Sequence, residues 1–251
     1  MLYAVTGKGV GGFMMHPTVF VLDMENGEYS AKTTLRLQEG LSPAPIQMEI
    51  FDRTVNVDGE VVMSETESTD FIAYPAQTVL MPGEEQTVRF QWVGDGIPER
   101  ERQYTIVARQ VPIKGLNEGT DIATPTGSIS AVLKFEGVLV LSSGEFRSDV
   151  SVTDFSQTVK SVSDTSDAPW EKVLQIDLVN GGTKASQELH TMKFRLEMND
   201  GDPMIISPDF IELARIRQRI TAGGRREIFI KMRAEYPFDE ISSITPLFEL
   251  E

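Results

Sequence analysis

Three stretches decide the fold: FDRTVNVDGE (residues 51–60), DFIAYPAQTVLMPGEEQTVRFQW (70–92) and RQYTIVARQVPIK (102–114). Each alternates apolar and polar residues and ends in a turn, the pattern of a β-strand with one buried face. Val88, Phe90 and Trp92 are predicted to face inward and Thr87, Arg89 and Gln91 outward; Tyr104, Ile106 and Ala108 repeat the pattern. Asn56-Val57-Asp58-Gly59 is a hairpin signal, and Met81-Pro82-Gly83-Glu84 reads as a turn with Pro at its second position and Gly at its third.

The same grammar extends in both directions. Upstream, Thr33, Leu35 and Leu37 alternate with Lys32, Thr34 and Arg36, and Ile46, Met48 and Ile50 with Gln47 and Glu49. The prolines of Leu41-Ser42-Pro43-Ala44-Pro45 break the chain between the two runs. Downstream, a polar loop over 115–127 precedes what reads as one long strand, Ser128 to Leu141. Ser142-Ser143-Gly144-Glu145 then reads as a domain boundary. Beyond it Leu174, Ile176 and Leu178, then Met192, Phe194 and Leu196, restart the alternation before the turn Asn199-Asp200-Gly201. Helical periodicity is nearly absent; a helical turn at Ser207-Pro208-Asp209, with a capping serine and Pro at the first position, is the exception.

The expected fold is therefore all-β, with two tandem immunoglobulin-like sandwiches. The expected domains are a flexible leader over 1–12, a first sandwich over 13–143 and a second over 144–251. A gapless internal match supports the tandem arrangement: Leu80 to Phe90 aligns on Ile220 to Ile230, with a turn glycine, Gly83 or Gly223, before an apolar strand.

Composition narrows the function classes. The chain has 251 residues, two domains' worth, and 38 Asp and Glu against 23 Lys and Arg give a net charge of −15. That balance opposes nucleic-acid binding, which needs a basic footprint. With no cysteine there is no disulfide framework, thiolate nucleophile or thiolate metal site. The glycines of Gly7 to Gly12 lack the Lys-Ser or Lys-Thr ending of a phosphate loop. His16 and His190 have no Gly-x-Ser-x-Gly or His-Glu-x-x-His companion, and Asp200-Gly201-Asp202 lacks calcium-loop spacing. Carboxylates are plentiful, but nothing singles out a catalytic pair, so no enzyme, metal or cofactor is expected. Arg215, Arg217, Arg219, Arg225 and Arg226 form a basic island, read as a solvated strand edge or, alternatively, a docking patch for an acidic partner.

One resemblance goes further. Asp52-Arg53 through Asp58-Gly59-Glu60, Asp70-Phe71 with Pro75, Leu80 with Pro82-Gly83, Gln86-Thr87-Val88-Arg89, and Tyr104 with Val111-Pro112 resemble the N-terminal domain of the PapD-like periplasmic pilus and fimbrial assembly chaperones. Val179-Asn180-Gly181-Gly182 and Gly223-Gly224-Arg225-Arg226 are similar to the C-terminal domain of its divergent members. The resemblance implies two sandwiches in an L or boomerang arrangement and a non-enzymatic periplasmic protein whose signal peptide has been removed. It also implies a donor strand lent to a pilin or fimbrial subunit, delivery to an outer-membrane usher, and a sticky strand through which the free protein can self-associate.

Carried onto this sequence, the lending strand runs from about Ser128 to Leu133, with Ile129, Ala131 and Leu133 as subunit-binding groove fillers. Lys134 matches the basic residue that grips the subunit's terminal carboxylate in the family. The partner arginine of that clamp has no counterpart in Pro17 to Val21, and Arg53 and Arg109 are the candidate replacements. A rival expectation of another class is a structural or adhesive tandem sandwich within a surface fibre.

Overall fold

The computed structural model describes residues 12–111, 122–124, 127–129, 132–161, 170–207, 219–231 and 240–248. The chain divides into two compact units: residues 1–53, 63–97 and 103–141 form the first, and 54–62, 98–102 and 142–251 the second.

The first unit is a two-sheet sandwich. Strands β1 (Phe13–His16), β2 (Val19–Asp23), β3 (Ser30–Leu37), β4 (Ala44–Val55), β5 (Val61–Glu67) and β6 (Phe71–Tyr74) lead into β7 (Gln77–Leu80), β8 (Glu85–Trp92) and β9 (Arg102–Gln110). After them come β10 (Ile122–Thr124), β11 (Gly127–Ile129) and β12 (Lys134–Ser142). One sheet has the order β1-β3-β8-β6; the other runs β2-β12-β9-β4-β5, with β7 also paired to β4. Inward residues of both sheets interdigitate as in other aligned sandwiches: Leu35, Val88 and Phe90 from one meet Ile46, Ile50, Tyr104, Ile106 and Leu139 from the other. Phe71 packs edge-on against Trp92 and Tyr104, with ring centroids 5.3 and 5.0 Å away. The Tyr104 hydroxyl, buried with its ring, donates to Asp70 Oδ2 at 2.7 Å.

The second unit is built likewise. Strands β13 (Val150–Ser161), β14 (Trp170–Asn180) and β17 (Arg225–Lys231) form one sheet. Strands β15 (Lys193–Met198), β16 (Met204–Ile206) and β18 (Ile241–Leu247) form the other, in the order β16-β15-β18. Leu174, Ile176, Leu178, Ile228 and Ile230 pack against Phe194, Leu196, Ile206 and Ile244. The fold is thus all-β with two immunoglobulin-like sandwiches in tandem, as the alternation predicts.

The internal match is structural too. Glu84 N–H donates to Met81 O at 3.0 Å and Gly224 N–H to Thr221 O at 2.9 Å, closing the same turn at equivalent positions. Gly83 and Gly223 hold φ of 78° and 71°, the left-handed value that a type II turn demands at its third residue. Each turn feeds a strand whose apolar pair, Val88 and Phe90 or Ile228 and Ile230, enters its own core.

Two expectations differ from the structure. The single strand Ser128 to Leu141 is two elements: β11 pairs antiparallel with β10, Ile129 opposite Ile122, and β12 starts only at Lys134. Gly127 and Ser128 offer little side chain to hold one extended ladder, and a local hairpin satisfies the backbone instead. The arginine island is not uniformly solvated: Arg226 is almost wholly buried, with Nη2 3.5 Å from the Arg219 carbonyl. It sits at an inward position of β17, opposite Leu178, so strand alternation drives it in. Arg215, Arg217, residues 208–209 of the expected helical turn, and residues 1–11 of the leader lie outside the described residues.

Candidate functional site

The second sheet of the first unit has a core face and an outer face, set by alternation. On β4 and β9 the core takes Ile46, Met48, Ile50, Tyr104, Ile106 and Ala108. The intervening residues pair across the opposite face: Gln47 with Arg109, Glu49 with Val107, Phe51 with Thr105, Arg53 with Gln103. On β12, Leu139 and Leu141 enter the core, which places Lys134 and Glu136 on the same outer face as Arg53 and Arg109.

Charges collect there. Lys134 Nζ lies 2.6 Å from Glu136 Oε1, both side chains about half exposed. The half-buried Arg53 guanidinium is held below its ordinary pKa by burial, while the Glu136 carboxylate acts in the opposite direction. Arg53 Nε is buried and has no hydrogen-bond partner among the described residues. Arg109 Nη2 approaches Glu49 Oε2 at 2.8 Å, closing an ion pair around a carboxylate that is only 12% exposed. The angle is too oblique for a hydrogen bond, and Gln47 Nε2 reaches the other oxygen at 3.4 Å.

The two candidate replacement cations therefore differ. Arg109 is neutralised by Glu49, whereas Arg53 and Lys134 share one carboxylate, Glu136. Two positive charges against one leave a surplus of about one unit, which matches a single carboxylate from outside. Glu136 itself was not singled out from sequence, although its i, i+2 spacing from Lys134 puts both on one strand face. Thr105, also unmarked, is buried on that face, and its hydroxyl has no hydrogen-bond partner among the described residues.

Leu133 adjoins this cluster. Its carbonyl accepts Gln110 N–H at 2.9 Å, so the backbone before β12 stays in register with β9. The side chain is half-buried, packs against the first core, and touches the space above Gly12. Val138 N–H donates to Thr18 O at 2.7 Å, where β2 joins, and Gly137 lies against the same carbonyl. Lys134, Phe135 and Glu136 precede that junction. Of the other residues expected to fill a subunit groove, Ile129 has only its backbone described, in β11, and Ala131 lies outside the described residues.

Among the described residues no group of three or more His, Asp or Glu could hold a metal ion, and no helix is long and apolar enough to cross a membrane.

No family model matches the sequence, and no curated protein matches it. Solved structures do. A chain of a chaperone–tip adhesin complex of CFA/I fimbriae biogenesis superposes with a TM-score of 0.57 at 12% identity, covering 94% of each chain. The class 5 fimbriae chaperone CfaA gives 0.54 at 13% identity, over 96% of this chain and 100% of its own. A chain of the CsuC–CsuE chaperone–tip adhesion subunit pre-assembly complex, from archaic chaperone-usher Csu pili of Acinetobacter baumannii, gives 0.50 at 13%, over 90% of each. At such identities the likeness is one of fold, and it spans both units: over 96% of its length this chain aligns with the fold of a fimbrial chaperone.

Proposed function

We propose that the protein is a non-enzymatic periplasmic chaperone that binds pilus or fimbrial subunits by lending them a strand and delivers them to an outer-membrane usher. The observation that carries this reading is the surplus positive charge of Lys134 and Arg53 over Glu136, at the start of β12 and beside Leu133. A subunit that lacks a strand presents an open edge and an apolar groove. A lent strand satisfies the edge with backbone hydrogen bonds and fills the groove with alternate side chains. A cation at the end of that strand fixes the register by holding the subunit's terminal carboxylate.

The fold likeness to a fimbrial chaperone over the full chain supports the same reading. In it, the segment around Ser128–Leu133 is the lent strand, Ile129, Ala131 and Leu133 fill the groove, and Lys134 with Arg53 anchors the carboxylate. Arg109, bound to Glu49, stays out of the anchor.

Co-expression in the periplasm with a β-rich subunit encoded beside this gene tests the reading. The expected product is a soluble one-to-one complex that Lys134→Ala and Arg53→Ala weaken together. Failure to form a complex with every neighbouring subunit would overturn it.

A further inference from the structure

The second unit contains a recess of about 650 Å³ lined by Arg147, Lys184, Arg219, Ser186, Glu188 and His190. That volume is typical of a small-ligand site. Its charge is unusual for this chain. Acidic residues outnumber basic ones by 38 to 23, and several cations elsewhere find carboxylates: Arg36 with Glu85, Arg195 with Glu197, Lys231 with Glu171. The recess has one lining acid, Glu188, whose Oε2 lies 3.1 Å from His190 Nδ1. Among the described residues the side chains of Lys184 and Arg219 make no hydrogen bond or ion pair, and Arg147 uses only Nη1, on the carbonyls of Gly144 and Phe146. Three cations thus line one cavity against a single carboxylate, which leaves a surplus of about two positive charges.

The walls that carry these cations are fixed. Asn180, buried at the end of β14, donates through Nδ2 to Lys184 O at 2.7 Å and Ile220 O at 3.0 Å. Ser186 bonds Ile220 twice: its N–H reaches the Ile220 carbonyl at 2.9 Å, and its hydroxyl accepts Ile220 N–H at 2.9 Å. Arg147 O accepts Thr183 N–H at 2.8 Å and Lys184 N–H at 3.0 Å. The backbones of Arg147, Lys184 and the residue next to Arg219 are tied into one frame, so charge is held together against its own repulsion before any ligand arrives. Such pre-organisation favours binding because less order is lost on association.

We infer that this recess is an anion site for a phosphate group, free or carried on a lipid headgroup. A surplus of about two positive charges calls for a ligand of charge near −2 or beyond with several acceptor oxygens, which a phosphate or pyrophosphate offers and a lone carboxylate does not. The site is independent of the strand-lending reading, since all its residues belong to the second unit.

Calorimetric titration of the whole protein with inorganic pyrophosphate, at matched ionic strength and with citrate as comparator, tests the assignment. The expected result is one saturable site that prefers pyrophosphate. Arg219→Gln and Lys184→Gln should each weaken it about tenfold, the scale of one charge-assisted bond. Neither side chain supports the fold, so both variants stay folded, and Lys32→Gln on β3 leaves the affinity unchanged. Co-sedimentation with phosphatidylglycerol vesicles, against phosphatidylcholine, distinguishes the sources: vesicle binding without pyrophosphate binding, lost in the same variants, assigns the phosphate to a headgroup. No saturable binding in either arm, equal affinity for citrate, or unchanged affinity in the Arg219→Gln, Lys184→Gln double variant would overturn the site.

Discussion

Lys134 and Glu136 face each other along one strand, Nζ to Oε1 at 2.6 Å, and the same carboxylate acts on Arg53 on the same face of the sheet. On the proposed function, Glu136 is an internal stand-in for a ligand carboxylate, occupying the cations until one arrives. Replacing it should release them. Glu136→Gln is expected to tighten capture of a subunit with a free terminal carboxylate and to leave capture of the amidated form unchanged, measured by titration calorimetry. Because the pair is half exposed, folding stability should move by no more than about 0.5 kcal/mol. Weaker capture of the free-carboxylate form would show that Glu136 contributes to binding and does not compete with it.

Leu133 has two roles that must be separated. It packs on the first core and, in the proposed function, is the groove filler next to the cation cluster. Leu133→Ala should therefore destabilise the free protein by about 1–2 kcal/mol, below the range for a fully buried leucine because this one is half-buried. Urea unfolding measures it, and an unchanged midpoint would mean that the core contact carries no weight. A charged substitution there would confound folding with binding. Ala131→Asp probes the lent strand of the proposed function: complex formation should be lost, with the melting curve of the free protein recorded alongside.

The repeated turn makes paired predictions. Gly83 and Gly223 occupy the same left-handed position of the same turn, at φ 78° and 71°. An added Cβ is strained there whatever the space around it. Gly83→Ala and Gly223→Ala should each cost about 1–2 kcal/mol in denaturant unfolding. Near Gly83 the Cβ would also meet Glu39 Cγ at 3.3 Å, whereas near Gly223 it would meet only the mobile end of Arg100. Gly83→Ala should accordingly be the more damaging of the two; the reverse order would show that the flexible arginine does not yield.

How far the sequence could be read follows from what alternation encodes. It reports which residues of a strand share a face, so Leu35, Ile50, Val88, Phe90, Ile176 and Phe194 were legible as core, and the turn glycines as turns. It does not report what lies over the other face. Val107 and Thr105 alternate outward on β9 yet are fully buried, and Arg226 follows its strand's parity inward against the preference of its charge. Nor does alternation mark where a ladder breaks, so the separation of β11 from β12 was hidden in small residues compatible with either arrangement. Of the site, Lys134 and Arg53 came from family resemblance. Glu136, which couples them, needed the sheet register, and the recess around Arg147 and Arg219 needed a loop-to-loop frame that no local pattern announces.

That frame rests on Asn180. Its side chain uses all of its main hydrogen-bonding capacity: Nδ2 donates to Lys184 O and Ile220 O, while Oδ1 accepts Asp149 N–H at 3.0 Å and Gly182 N–H at 3.1 Å. The residue is completely buried, so its loss would leave backbone groups without partners where water does not reach. Asn180→Ala should cost about 2–4 kcal/mol, the sum of a few stranded buried groups and a small cavity. Asn180→Asp keeps the two acceptor contacts but sets a carboxylate oxygen against the carbonyls of Lys184 and Ile220, so it should be at least as damaging near neutral pH. Thermal unfolding of both variants checks the size of the loss. Pyrophosphate titration of whichever remains folded then checks its consequence, because cations released from a fixed frame should bind the anion more weakly even though none has been removed. A variant that lost stability but bound pyrophosphate as tightly as the parent would show that the recess does not depend on this frame.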